Sequence, residues 1–313
     1  MRARDDLGAA TADRAAVAAL GAGRLVILPT ETVYGLAADA SNPVAVAAIF
    51  EAKGRPRFNP LIAHVADAVE AERIGVFDDR ARALAAAFWP GPLTLVVPVR
   101  DRDRVCDLAR AGLDSVAIRV PGHRRARAVI AAFGGPVVAP SANRSGRPSP
   151  TTYADAVEET GGAAAAAIDG GDCAVGVEST VVSVLDGRVS LLRPGAVTRA
   201  EIEARVGALD TGGEGHRSPG RLALHYAPDA PVRIAATAAR GGEILLGFGP
   251  GSGDPRWSLS PTGDLREAAA NLFRMLREAD REHPAGIAVA PVPDHGLGEA
   301  INDRLRRAAG FVG

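Results

Sequence analysis

Cysteine is nearly absent: this chain of 313 residues has two, Cys106 and Cys173, far apart and outside any C-x-x-C pair. That excludes a zinc ribbon and a secreted scaffold held by disulfides, and fits a reducing cytoplasm. Net charge is missing too, with 36 basic against 37 acidic side chains and a formal charge of −1. No global field is available to hold a long polyanion, so stable binding of RNA or DNA through phosphate neutralisation is not expected. No run approaches the ~18 apolar residues of a membrane span, and charged Met1 to Leu7 leads into no apolar segment, so neither insertion nor export is implied. Lysine is scarcest of all. Lys53 is the only one, and arginine supplies every other basic side chain. Where arginine has replaced lysine wherever a generic charge suffices, a retained lysine points to a need for a compact charge on a flexible stem, such as a tight phosphate contact. Chance retention is the plainer alternative.

What is present is a globular composition, 47% hydrophobic, long enough for two domains or one with an appendage. An alanine-rich helix is expected over 12–23, followed by a short apolar strand at 24–28. Further β-branched runs lie at 93–99, 115–120, 136–140, 179–185 and 189–192, with helical patterns at 43–53, 66–74, 78–88, 122–133 and 152–160. Strands and helices alternate irregularly. The expected fold is α/β, a twisted mixed open sheet with flanking helices, occupying 1–207. Ala163 to Ala167 reads as helix or loop filler. Residues 208–231 break into Gly, Ser, Pro and polar residues and read as a linker. Strands at 232–235, 243–248 and 287–292 and helices near 264–281 and 298–309 make a smaller C-terminal α/β domain over 232–313.

Four clusters could carry chemistry. Pro29-Thr-Glu-Thr-Val-Tyr-Gly35 puts two hydroxyls, a carboxylate and a phenol directly after a buried strand, where α/β folds place ligand contacts; a helix start capped by Thr30 or Thr32 is the plainer reading. Glu51 to Pro60 sets Lys53, Arg55 and Arg57 around a Gly–Pro turn, able to converge on one anionic group such as a triphosphate, or else forming a solvated basic helix end. His64, on the apolar stretch that follows, reads first as a satisfied core histidine. Ala139-Pro-Ser-Ala-Asn-Arg-Ser-Gly-Arg-Pro-Ser149 could wrap a phosphate or ribose with small hydroxyls and backbone N–H groups, though alone it would pass for a polar turn. Gly176-Val-Glu-Ser-Thr180 runs into a strand, and Arg193-Pro-Gly195 ends its hairpin partner. Neither a Walker A loop, a G-x-G-x-x-G turn after the first strand, nor an H-E-x-x-H motif occurs. Arg124, Arg125 and Arg127 lack interleaved aromatics and read as a helix's solvated face.

In order along the chain, PTETVYGL, KGRPRFNPLIAH, FWPGPLTLVV, SVAIRVP, APSANRSGRPSPT, GVESTVV, LLRPG and SPGRLALHYAP resemble the YrdC-type threonylcarbamoyl-AMP synthases, in the long form with a C-terminal domain. The resemblance implies formation of L-threonylcarbamoyl adenylate and pyrophosphate from L-threonine, bicarbonate or CO₂, and ATP, with Mg²⁺ accompanying the nucleotide. Downstream enzymes would pass the threonylcarbamoyl group to tRNA. It further implies Lys53 and Arg55 as the catalytic cations, which with Asn59 hold the phosphates. Ser115, Ser141, Asn143, Ser149 and Arg193 would line the rest of the nucleotide site, with Tyr226 as a lid. Thr32, His64, Arg119, Ser179 and the backbone at Ala139 would bind threonine, Arg119 taking its carboxylate. Two departures from the family pattern stand out: Arg57-Phe58 before Asn59, and Pro219-Gly-Arg-Leu222 where a lysine is usual. A carbamoyl-adenylate maker of hydrogenase maturation shares this domain, but it carries zinc-finger cysteines that two cysteines cannot supply. The alternative from another class is an RNA- or ribosome-binding module without catalysis.

Overall fold

The computed structural model of the chain describes residues 2–56, 59–210 and 225–310. Arg57 and Phe58, and residues 211–224 of the expected linker with Pro219 to Leu222, lie outside them. The chain opens with α1 (Arg2–Gly21), which starts well before the expected residue 12, and passes into β1 (Leu25–Leu28) and β2 (Gly35–Asp39). Thr30 caps no helix. Its hydroxyl accepts from the backbone N–H groups of Thr32 and Val33 and donates to the Val33 carbonyl, closing a turn that delivers the chain into β2.

Helix α2 (Pro43–Lys53) shows how local chemistry sets the ends of an element. Asn42 accepts from the N–H groups of Val44 and Ala45, Pro43 takes the first turn, and Ala45, Val46, Ile49 and Phe50 form the buried stripe. Gly54, in the left-handed region at φ 59, stops the helix directly after Lys53. Next come β3 (Ile62–His64), α3 (Ala68–Ile74), α4 (Asp79–Phe88), β4 (Leu93–Pro98), α5 (Asp107–Arg110), β5 (Ser115–Arg119), α6 (Arg124–Phe133), β6 (Val137–Val138), α7 (Tyr153–Thr160), β7 (Ala164–Ala167), β8 (Thr180–Leu185), β9 (Arg188–Arg193) and α8 (Arg199–Val206).

Nine strands form one sheet in the order β7-β1-β2-β6-β3-β5-β4-β8-β9. It is mixed, parallel at β1/β7, β3/β5 and β4/β8 and antiparallel elsewhere. The alanine patch is strand β7, not helix or loop filler. Four alanines are too few to nucleate a helix in isolation, whereas the open edge of β1 offers ladder partners at Leu25, Val26 and Ile27. Strand β2 escapes the sequence because Gly-Leu-Ala-Ala-Asp contains no β-branched or aromatic residue, and β3 is only three residues long.

The phase of β5 decides where a site can lie. Val116 and Ile118 point into the main core, while Ser115, Ala117 and Arg119 share the other face. Register pairs Ile62 with Ala117 and His64 with Arg119, so these two central strands present a cation and an imidazole on one face.

The C-terminal unit has β10 (Val232–Arg233), β11 (Glu243–Phe248), β12 (Ser258–Ser260), α9 (Leu265–Arg281), β13 (Gly286–Val289) and α10 (Leu297–Ala308). Its four strands are parallel, in the order β10-β13-β11-β12. Leu272, Phe273 and Leu276 of α9 pack with Ile287, Val289, Ile301 and Leu305 into a second core that also takes in Val33, Val177 and Tyr226. Two of the motif loops are therefore anchored in that core. Among the described residues no helix is long and apolar enough to cross a membrane.

Candidate active site

A hollow opens over the shared face of β3 and β5, walled by the segment after β6, the loop before β8, the end of β9 and the linker residues His225 and Tyr226. Nine of the expected residues line it: Thr32, Arg55, His64, Arg119, Ala139, Ser141, Ser179, Arg193 and Tyr226. Lys53, Asn59, Ser115, Asn143 and Ser149 do not.

Arg119 is buried and held on three sides. Its Nε donates to the Gly91 carbonyl at 3.2 Å, Nη1 to Thr32 Oγ1 at 2.9 Å and Nη2 to Glu31 Oε1 at 2.6 Å. A guanidinium has five N–H donors, so one remains on each terminal nitrogen. The second Glu31 oxygen accepts from the Gly122 N–H at 2.9 Å. Burial alone would raise the Glu31 carboxyl, but Arg119 and these hydrogen bonds hold it below its ordinary value. His64 is buried, and its Nδ1 lies 3.1 Å from the Ile62 carbonyl. A carbonyl only accepts, so Nδ1 carries the proton and Nε2 is left as an acceptor. Burial first, and Arg119 second, push the imidazole down to about 3. His64 is thus both the buried histidine expected from the sequence and a wall of the hollow.

The other end is cationic. Arg55, past the Gly54 turn, is depressed to about 10 by burial and by Arg193, and its buried Nε has no hydrogen-bond partner. Arg193 donates twice to the Ser179 carbonyl, at 3.1 and 2.8 Å, and to Ser179 Oγ at 3.1 Å; burial depresses it too. Lys53 is turned away from the expected convergence with Arg55. Its Nζ donates to the carbonyls of Ser141, at 2.5 Å, and Asn143, tying helix α2 to the loop after β6. Burial and the nearby Arg55 push the amine well below its ordinary value. Among the described residues, none of these three cations forms an ion pair.

The remaining expected residues sit at the margins. Ser115 shares the face of Arg119 but lies four residues along β5, about 13 Å at ~3.3 Å per residue, level with Pro98 of β4, and Asn59 is buried. Asn143 is buried and folds its Nδ2 back onto the carbonyls of Arg144 and Arg147. Ser149 donates to Glu178 Oε1 at 2.5 Å. Glu178 and His225 belong to the walls and Glu31 backs Arg119; the sequence assigns none of them a role, although each stands inside a motif it marks out.

Tyr226 closes the hollow. It is buried in the left-handed region at φ 64, uncommon for a bulky residue, and stacks against Phe273 at 5.3 Å. Burial, with Glu178, pushes its phenol up to about 12. The free space left inside is about 50 Å³, far below the ~300–1,000 Å³ of a small-molecule pocket.

Comparison with known proteins finds matches over both units of the chain. A Sua5/YciO/YrdC family model, described as telomere recombination, matches residues 18–195, and a second, described as the C-terminal domain of threonylcarbamoyl-AMP synthase, matches 197–310. A threonylcarbamoyl-AMP synthase of Bacillus subtilis is 40% identical over 94% of this chain and 92% of its own length. One from Pyrococcus abyssi is 39% identical over 92% and 91%. The crystal structure of P. abyssi Sua5 complexed with L-threonine superposes with a TM-score of 0.86 at 38% identity, covering 96% of this chain and 94% of that one.

Proposed function

The chain belongs to the Sua5/YciO/YrdC family, in the form with a Sua5 C-terminal domain, and from that premise we propose that it is an L-threonylcarbamoyladenylate synthase. It joins L-threonine and bicarbonate or CO₂ to the adenylate of ATP, releases pyrophosphate, and supplies the product to enzymes that modify tRNA with threonylcarbamoyladenosine. The observation that carries this reading is the pairing of two unlike ends in one hollow. At one end Arg119 keeps two N–H donors on separate nitrogens, a match for a carboxylate fork. At the other, half-buried Arg55 and buried Arg193 form no ion pair among the described residues, and a polyphosphate would give them one.

The chemistry asks for positioning more than for a nucleophilic side chain. Threonine's amine, once neutral, adds to CO₂, and an oxygen of the resulting carbamate attacks the α-phosphorus with pyrophosphate leaving. His64, neutral with Nε2 free, accepts from the amino group. Thr32 and Ser179 place the rest of threonine beside the Ala139 backbone, while Arg55 and Arg193 stabilise charge on the phosphates. Lys53 holds the 141–143 loop, and Asn59, Ser115, Ser141, Asn143 and Ser149 complete the nucleotide side. Because the hollow lined by His225 and Tyr226 is too small for either substrate, that segment moves outward to admit them.

Mg²⁺ accompanies ATP in this reading, neutralising phosphate charge. The donors present suit phosphate and water ligation rather than a protein cage. Glu178, the carboxylate on the nucleotide side, has both oxygens engaged by Ser149 and Arg304, and among the described residues no cluster of three or more His, Cys, Asp or Glu could hold a metal. The free thiols of Cys106 and Cys173 support the expectation of a reducing compartment, the cytoplasm in this reading.

The test is an omission experiment on the full chain, with pyrophosphate release and the adenylate followed by mass spectrometry. Turnover requiring threonine, bicarbonate and ATP together is expected. ATP turnover indifferent to threonine, or salt-sensitive RNA binding with no turnover, overturns it.

A further inference from the structure

Arg304 lies on α10, in the C-terminal unit, yet two of its three hydrogen-bond partners, Glu178 and Pro194, belong to the other unit. It is fully buried. Its Nε donates to Glu178 Oε2 at 3.0 Å, and its Nη1 donates to the Pro194 carbonyl at 2.6 Å and to neighbouring Asp303 at 3.0 Å. Its Cζ stands 5.6 Å from the centre of the Tyr226 ring. Glu178 in turn accepts the Ser149 hydroxyl on its other oxygen. One guanidinium therefore touches the loop ahead of β8, the residue after Arg193 and the lid, and through Glu178 it reaches the loop after β6.

We propose that Arg304 is a positioning residue for the nucleotide half of the site, making the catalytic centre a composite of both units. This rests on the functional reading above. Arg304 lines no part of the hollow, so it acts through Glu178, Ser149, Pro194 and Tyr226. The geometry gives it a reason to be arginine: a planar fork bonds a carboxylate and a carbonyl in different directions while its face lies against an aromatic ring, which an ammonium cannot do. Backbone fit holds the same joint together. A Cβ on Gly176, two residues before Glu178, would stand 2.4 Å from the Ala269 carbonyl oxygen of α9. Arg277 of α9, also buried, donates to the Pro148 carbonyl and to Glu159 at 3.0 Å, bracing the residue next to Ser149. The threonine end, built from Arg119, Glu31, Thr32 and His64, has no contact with Arg304.

The test compares wild type, Arg304→Met and Arg304→Lys as full chains, with separate KM values for ATP and threonine. Arg304→Met is expected to raise KM for ATP at least tenfold and to shift KM for threonine less than threefold. Arg304→Lys is expected to recover part of the ATP affinity, because it keeps the charge on Glu178 but loses the Pro194 carbonyl. Should Arg304→Met not fold, Glu178→Met/Arg304→Met removes both members of the ion pair and is expected to give the same split. Unchanged KM for ATP, or equal increases in both KM values, beside a normally active wild type overturns the positioning role alone. A wild type without threonine-dependent turnover overturns the functional reading instead.

Discussion

Glu31 Oε1 lies 2.6 Å from Arg119 Nη2, so the cation assigned to threonine's carboxylate is already neutralised and oriented by the protein. Together with Thr32 and the Gly91 carbonyl, that contact aims the two remaining N–H donors of Arg119. Glu31→Ala should leave a buried guanidinium without a counter-charge, costing on the order of 3 kcal/mol in stability, and should raise KM for threonine at least tenfold while moving KM for ATP little. Chemical denaturation and paired KM measurements check both. An unchanged threonine KM would show that Glu31 does not orient Arg119.

Lys53 is wedged between two backbone carbonyls. Lys53→Ala should leave both unsatisfied at about 1–3 kcal/mol each and lower kcat/KM at least a hundredfold, with the fold retained. Lys53→Arg should fare nearly as badly, since a planar fork does not fit where one nitrogen bridges two oxygens. Full activity in Lys53→Arg would end the claim that the sole lysine was kept for its compact charge.

Buried neutral histidines make stability depend on pH with a definite sign. His64 is depressed to about 3 in the folded state, from an ordinary value of 6.5, and His225 is also lowered well below it, by burial first and then by Arg55. The unfolded chain therefore binds more protons below pH 6.5, and stability falls as pH drops. Each histidine should account for about 1 kcal/mol lost between pH 7 and 5.5. Urea midpoints at the two pH values should show this, with His64→Asn losing less than wild type. Identical slopes would mean that His64 is not held neutral.

Gly176 allows a close approach between the two units. It sits at φ 76, and a side chain there would meet α9 backbone. Gly176→Ala should destabilise by about 2 kcal/mol through strain and displacement of α9, and should weaken ATP more than threonine. A calorimetric melt together with the two KM values decides it.

The parts of this architecture that could be read in advance share a physical property: strong local pattern. Helix α2 has its Asn42 cap, its Pro43 start, its apolar stripe and its Gly54 stop all between Asn42 and Gly54. Strand β5 alternates Ser, Val, Ala, Ile and Arg, which already separates a core face from a polar face. Strand β7 could not be read, because an alanine run takes the structure its neighbour offers. Among site residues, hydroxyl and cationic side chains clustered in loops after strands were legible as polar density out of place. Glu31 and Glu178 stood in those clusters, but their partners, Arg119 and Arg304, lie 88 and 126 positions away. Arg304 gave no signal at all, since in sequence it matches Arg306 and Arg307 on the same helix, and only tertiary packing turns it inward.

The most direct test of the central claim is a crystal structure of the full chain with L-threonine and a non-hydrolysable ATP analogue bound together. The account predicts both ligands in the one hollow over β3 and β5, with threonine's carboxylate on Arg119, the phosphates against Arg55 and Arg193, and the segment around Tyr226 displaced outward from its place here to make room for them. Ligands in separate cavities, or a nucleotide seated away from Arg55 and Arg193, would contradict it.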